Sequence, residues 1–400
     1  MAVSRKGEKK SRSRHFLSGV TYDKLCRGIR DHDEFVELYR LHLSEFKSLY
    51  ADVCRVDQSF CHQYNDGAVR AQCQPIDGRL KLLSALRYMS GGNPIDVRRA
   101  HGQSKPSFWN HLERTLTAIV KARPLPTGWL DDEEQLKMLE HCCCRTRSFG
   151  GGGYVGCIGF VDGCIFHTLK PDDVPNPADW RCDRKNCYGL NCIGVCDGRL
   201  RFIFFSVESP GNVHDSQAFS ATRLGYRVSL GHGPGGIPVG YFFSGDGAFK
   251  LGPALVVPVG GPPAPGSAND AFNYVHAQYR ATIERALGVL MRRWGVFWRP
   301  LECSTPLKLL IIQAAVRLHN LCMQRPDGAG ERVGRGHETD MGTRPTMKEV
   351  RRRHLRAYKR LDDLDACGGN TAAARASVTR DILVSMLAQS NAKRPVRTRR

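Results

Sequence analysis

Hydrophobic residues follow two spacings along the chain. Over 20–65 they recur at helical intervals (Phe35, Leu38, Tyr39, Phe46, Leu49, Tyr50), which predicts packing helices without a chemical signature. Arg79 to Met89 reads as an amphipathic helix stopped by Gly91 and Gly92, and Pro94 to His101 as a short second helix ended by Gly102. A third helix from Ser107 runs through Trp109, Leu112, Leu116 and Ile119. Further on, short apolar runs replace this pattern. Ile158-Gly159-Phe160-Val161 predicts a strand buried on both faces, closing on Asp162-Gly163. Tyr188 to Cys196 predicts a second strand, Asp197-Gly198 a hairpin turn, and Arg201 to Val207 a third strand. Pro210 to Asp215 leads into a helix through Phe219 and Leu224. Tyr241 to Ser244 and Leu255 to Val259 give strands four and five, the former followed by Gly245-Asp246-Gly247. A long helix from about Asp270 to Trp294 puts Phe272, Val275, Tyr279, Ile283, Leu287 and Leu290 on one stripe.

Three antiparallel strands, a helix, two more strands and a helix predict an α/β fold with a ribonuclease H-like catalytic core, a mixed five-stranded sheet with helices. An all-α helix-turn-helix region precedes it. The expected division is a basic arm (1–20), a helical region (21–123, helix-turn-helix at 79–120), a linker (124–153), the ribonuclease H-like domain (154–323) and a basic, partly disordered C-terminal region (324–400). Pro124 to Gly128 and Gly150 to Gly153 punctuate the linker, and Gly328 to Gly342 reads as a second one. Ala372 to Gln389 reads as helical.

Charge narrows the partner. Lys and Arg number 59 against 39 Asp and Glu, a net +20 that favours a polyanion, with double-stranded DNA first. In the helix-turn-helix, Arg98, Arg99, Lys105 and Arg114 are the candidate phosphate contacts. Lys6, Lys9, Lys10, Arg12 and Arg14 at one end, Arg351 to Arg360, and Lys393 to Arg400 at the other are basic clusters that suit a nuclear address or phosphate contact. The first residues lack an apolar stretch, and no run is long enough to span a bilayer, so a soluble intracellular protein located in the nucleus, with no membrane partner, is expected. The sixteen cysteines read as reduced thiols: Cys182, Cys187, Cys192 and Cys196 lack the Cys-x-x-Cys spacing of a zinc knuckle. A cysteine-based zinc module therefore rests on cysteine count alone.

A carboxylate closing a buried strand is costly unless paired or bound to a cation. Asp162 and Asp246 both take that place, and Glu284 lies beside Ile283 on the later long helix. Arg280, four residues before Glu284, supports an ordinary helical ion pair. Taken together, two aspartates and a glutamate suit Mg²⁺ or Mn²⁺, where two ions activate the attacking oxygen and stabilise the leaving one.

The chain resembles the Harbinger-type DDE transposases and the nucleases derived from them. The resemblance rests on Gly159-Phe160-Val161-Asp162-Gly163, on Arg184-Lys185-Asn186-Cys187-Tyr188-Gly189-Leu190-Asn191 and on Pro210-Gly211-Asn212-Val213-His214-Asp215. It continues through Gly245-Asp246-Gly247, Phe272-Asn273, Arg280 to Gly288 and Leu318-His319-Asn320, in the family's order. It implies that Asp162, Asp246 and Glu284 are the catalytic DDE acids and metal ligands, and that Asp215 is a further metal ligand. Helix N-capping is the plainer alternative for Asp215. Lys185, in the second motif, is a further DNA contact. Phe249 and Leu287 stand where the family commonly has tyrosine and phenylalanine. The implied activity is a divalent-metal-dependent, two-metal DNA endonuclease, transposase-like. The alternative is a domesticated, catalytically inactive DNA-binding protein of transposase origin. A separate Myb-like DNA-binding partner and a dimeric assembly are compatible with the resemblance.

Overall fold

The computed structural model describes residues 20–61, 76–144, 154–324, 346–367 and 370–389. The basic arm before 20, Gly150 to Gly153, the 328–342 linker and the 393–400 tail lie outside the described residues. Two units divide at Ala118 and Ile119.

The first unit is helical: α1 (Tyr22–Arg27), α2 (His32–Tyr39), α3 (Leu43–Val56), α4 (Gly78–Met89), α5 (Pro94–Ala100) and α6 (Lys105–Ala122). Asp77 and Asn93 cap α4 and α5 by accepting from Arg79 N and Ile95 N, and Pro94 opens α5 where its missing N–H is not needed. Gly91 adopts φ 101°, a left-handed turn between α4 and α5 that L side chains resist. Leu82, Leu83, Leu86, Val97, Phe108, Leu112 and Leu116 are buried. Gln103 donates from Nε2 to Ser84 Oγ at 3.0 Å, tying the α5–α6 turn to α4. The three helices at 79–120 thus fall where the spacing predicts, the third beginning two residues early.

The second unit holds a six-stranded mixed sheet of β1 (Cys157–Thr168), β2 (Arg181–Cys182), β3 (Cys187–Cys196), β4 (Phe202–Pro210), β5 (Phe242–Ser244) and β6 (Leu255–Val256). The order is β2-β3-β1-β5-β6, with β4 also paired to β3. β1, β3 and β4 run antiparallel, while β5 and β6 continue parallel to β1. Six strands replace the expected five because β2 is two residues long, too short to leave a pattern. β6 ends at Val256, ahead of Pro258.

Helices cover both faces. Preceding the sheet, α7 (Glu133–Cys144) packs on β1. Part of the segment expected as a linker is therefore ordered, with Leu136 and Leu139 buried. After β4 come α8 (Asp215–Ser220) and α9 (Arg223–Ser229), two helices where one was expected, because Thr222 accepts from Gly225 N and restarts the chain as an N-cap. Long α10 (Ala268–Arg293) lies on β1, β3 and β5, followed by α11 (Thr305–Cys322), α12 (Met347–Ala366) and α13 (Ala372–Gln389). None of the described helices is long and apolar enough to cross a membrane.

Candidate active site

Phe160 pairs with Ser244 across the parallel β1–β5 ladder. Asp162 and Asp246 each stand two residues further along, so adjacent strands carry the two carboxylates to one level. Asp246 lies just past the end of β5, where its Oδ1 accepts from Ala248 N at 2.9 Å. Asp162 Oδ1 accepts from Gly163 N at 2.8 Å.

The third acid arrives on α10, which presents one polar group per turn at His276, Arg280 and Glu284. His276 is buried, and its Nε2 donates to Gly245 O at 2.8 Å. Its Nδ1 therefore accepts from the hydroxyl of Tyr154, a buried ring stacked on Tyr279 at 4.5 Å. Burial pushes the imidazole down to about 4, so it is neutral near pH 7. This relay fixes the peptide before Asp246. One turn on, Arg280 Nη1 lies 3.5 Å from Asp162 Oδ2, while Nη2 pairs with Glu284. Glu284 is the outermost, its side chain 47% exposed.

Burial pushes the Asp162 carboxyl up to about 6. The charges of Asp246 and Glu284 act in the same direction, and the Gly163 amide and Arg280 oppose them. Asp246 and Glu284 thus both act on Asp162 through space, with Arg280 between Asp162 and Glu284. Among the described residues, no three acidic, histidine or cysteine side chains form a closed ligand set.

Asp215 is placed differently. Its helix is capped by His214, whose side chain accepts from Ser216 N, so Asp215 is the first helical residue and not the cap. The buried carboxylate accepts from Asn191 Nδ2 at 2.8 Å and sits 3.6 Å from Arg184 Nη2. A Cβ on Gly163 would come within 2.5 Å of its Cγ. Successive strand residues face opposite sides. Asp162 faces α10, so Asp215 meets β1 on the opposite face. Cys164 nonetheless feels both carboxylates, together with Lys185, and burial first of all pushes its thiol up. Lys185 is thereby placed near this end of the sheet, and it is exposed.

The remaining cationic candidates belong to the helical unit. Arg99 and Lys105 are exposed and Arg98 half-buried. Arg114 is committed to Asp57, with Nε to Oδ2 at 2.8 Å.

Three motif asparagines clamp backbone. Asn191 Nδ2 donates to Val213 O at 2.7 Å. Asn273 spans Val259 through both its carbonyl and its amide, and Asn320 does the same to Phe202 on strand β4. His319, beside it, donates from Nε2 to Leu200 O at 2.8 Å, in the β3–β4 turn. Sequence reasoning found these residues as motif members but missed His276 and Tyr154 altogether. A histidine eight residues before Glu284 was the only signal.

Residues 161–320 match the family described as DDE superfamily endonuclease, a span that includes all four candidate acids. Over 255 residues the chain is 27% identical to the Xenopus laevis protein named "Putative nuclease HARBI1", covering 62% of this chain and 69% of that one. No solved structure matches the chain. Asp162 on β1, Asp246 just past β5 and Glu284 on the helix over them all lie inside the span, residues 161–320, over which the chain is similar to the DDE superfamily endonucleases.

Proposed function

We propose that the protein is a divalent-metal-dependent endonuclease that cleaves DNA phosphodiester bonds from a ribonuclease H-like core. The observation that carries this reading is the placement of Asp162 and Asp246 at one level on adjacent parallel strands, with Glu284 acting on Asp162 from α10. Carboxylate oxygens are the donors that Mg²⁺ and Mn²⁺ take, and a cation among these acids offsets the burial, and secondly the repulsion, that raise Asp162. Asp162, Asp246 and Glu284 would hold it. When bound, such ions polarise a phosphate and favour ionisation of water.

The protein's own groups prepare that site. Tyr154 and His276 fix the Gly245 carbonyl and so the direction of Asp246. Arg280 keeps Asp162 and Glu284 compensated. Lys185, exposed near Cys164, is in reach of a DNA phosphate, and α4 to α6 with Arg98, Arg99 and Lys105 supply a helix-turn-helix contact to duplex DNA, to which Arg114 adds only by giving up Asp57. Nuclear location, a dimer and a Myb-like partner are consistent with this reading and form part of the proposal.

The test is cleavage of duplex DNA with Mg²⁺ or Mn²⁺ against the same reaction in EDTA. Metal-dependent nicking or double-strand breakage is expected. A second reading, an inactive DNA-binding protein of transposase origin, is favoured by one observation, the Arg280 guanidinium between Asp162 and Glu284. DNA binding without cleavage under any metal would select it.

Asp215 separates by substitution. With Asn191 and Arg184 as its partners, Asp215→Asn is expected to lower stability by about 1 to 2 kcal/mol and to leave the Mn²⁺ requirement for cleavage unchanged. A sharp rise in that requirement at unchanged melting temperature would make Asp215 a ligand, as the family resemblance implies.

A further inference from the structure

Helix α12 is held to the second unit by one face and carries an unpaired cationic stripe on another. Val350 and His354 are buried, and Val350 packs with Val155 and Met386. The basic residues directed inward are neutralised: Arg351 pairs with Glu133 at 2.6 Å and Arg353 with Glu349 at 2.7 Å. Lys348, Arg352, Arg356 and Lys359 are all exposed, and none has an ion-pair partner among the described residues. At intervals of four, four and three they form one line, rising about 6 Å per four residues. Leu355, 59% exposed, lies beside the line.

A helix face that serves only solubility interleaves acids with bases at four-residue spacing. Here like charges stand four apart, which is destabilising. The dipole adds to the cost. Lys348 lies in the first turn, where cations are disfavoured, and Asp362, Asp363 and Asp365 lie in the last turns, where anions are. Asp362 and Asp365 are moreover occupied by Arg375, at 2.6 and 2.7 Å. Only Asp363, four residues after Lys359, closes the line with a negative charge. An arrangement that costs the free helix stability is relieved by a polyanion laid along it.

We propose that this face of α12 binds the phosphate backbone of duplex DNA, as a contact separate from both the acids and the helix-turn-helix. The proposal rests on the endonuclease reading. It lies outside residues 161–320, the span matched to the endonuclease family.

The test uses the full chain and a short blunt duplex in EDTA, with affinity read by fluorescence anisotropy over a series of NaCl concentrations. Each phosphate contact contributes about 0.9 to the slope of log affinity against log salt. The variant Lys348→Gln/Arg352→Gln/Arg356→Gln/Lys359→Gln is expected to lose about two to four units of that slope and at least about tenfold in affinity at physiological salt. Its melting temperature should be unchanged or higher. Should it not fold, Arg352→Gln/Arg356→Gln carries the test, with a loss of about one to two units. Removing four exposed cations elsewhere (Lys170, Arg199, Arg223, Arg299) should leave the slope within about one unit of wild type. An unchanged slope in the α12 variant, or an equal loss from the control set, overturns the proposal alone. Wild-type protein that binds no duplex DNA overturns the endonuclease reading with it.

Discussion

Asp162→Asn is expected to abolish metal-dependent cleavage and, in metal-free buffer near neutral pH, to make the protein more stable. Both effects come from one carboxylate. Burial and the charges of Asp246 and Glu284 hold its folded pKa at about 6, against an ordinary value of 3.8. Below the unfolded value both states keep the proton, and nothing is lost. As pH rises through 6 the folded protein must ionise a buried group, at a cost of about 3 kcal/mol. The amide removes that cost at neutral pH and changes little near pH 4, where the carboxyl is already protonated. Added Mn²⁺ should reverse the ranking, because a bound cation favours the ionised wild-type side chain and has less to gain from the amide. Melting temperatures at the two pH values, with and without Mn²⁺, give the four readings. Asp246→Asn and Glu284→Gln should abolish cleavage as well. Cleavage surviving in any of the three variants, or a stability gain in Asp162→Asn that ignores pH, would show that the acids are not the site.

The acids were legible because each strand announces its end. An apolar run closing on Asp-Gly marks both a buried strand and a charge that needs a reason, and that signal needs no third dimension. Arg280 shows the limit. Helical spacing gives its pair with Glu284, which the structure contains, but nothing along the chain reveals that the same guanidinium meets Asp162 on β1. His276 and Tyr154 are 122 residues apart, and their contact exists only once α10 lies on the sheet. Asp215 was ambiguous for a local reason. A residue that opens a helix can cap it or stand one position inside it, and only the backbone shows that His214 takes the cap. Helix α7 was hidden by its flanks, a Pro-rich break before it and a Gly-rich one after. Those breaks bound an ordered element here, and Leu136 and Leu139 were the pattern to weigh against them.

Acid should unfold the second unit well before its carboxylates are neutralised. His276, His319 and His354 are buried, and burial pushes each of them down to about 4, from 6.5. A lowered histidine contributes its full stability above the unfolded value and loses it as pH falls towards the folded one, so the window runs from 6.5 to 4. At pH 5 each has given up about 2 kcal/mol, roughly 6 for the three. Asp162 returns only about 1 to 2 kcal/mol over the same interval, since its shift has the opposite sign. The net loss is a large part of the 5 to 15 kcal/mol typical of a folded domain. Structure explains why the protons are refused. His276 must keep Nδ1 bare to accept from Tyr154, and the Nδ1 of His319 has no hydrogen-bond partner among the described residues. For His354 burial outweighs the Nδ1 donation to Val350 O, which by itself favours the protonated ring, and the neighbouring His232 acts with burial. Urea unfolding at pH 7 and pH 5 measures the loss. His319→Gln, which keeps a donor towards Leu200 O but cannot titrate, should shrink the difference between the two pH values by about a third. A stability that is flat over this range, or a His319→Gln protein as acid-sensitive as wild type, would mean that the buried imidazoles are not what holds the unit together against protons.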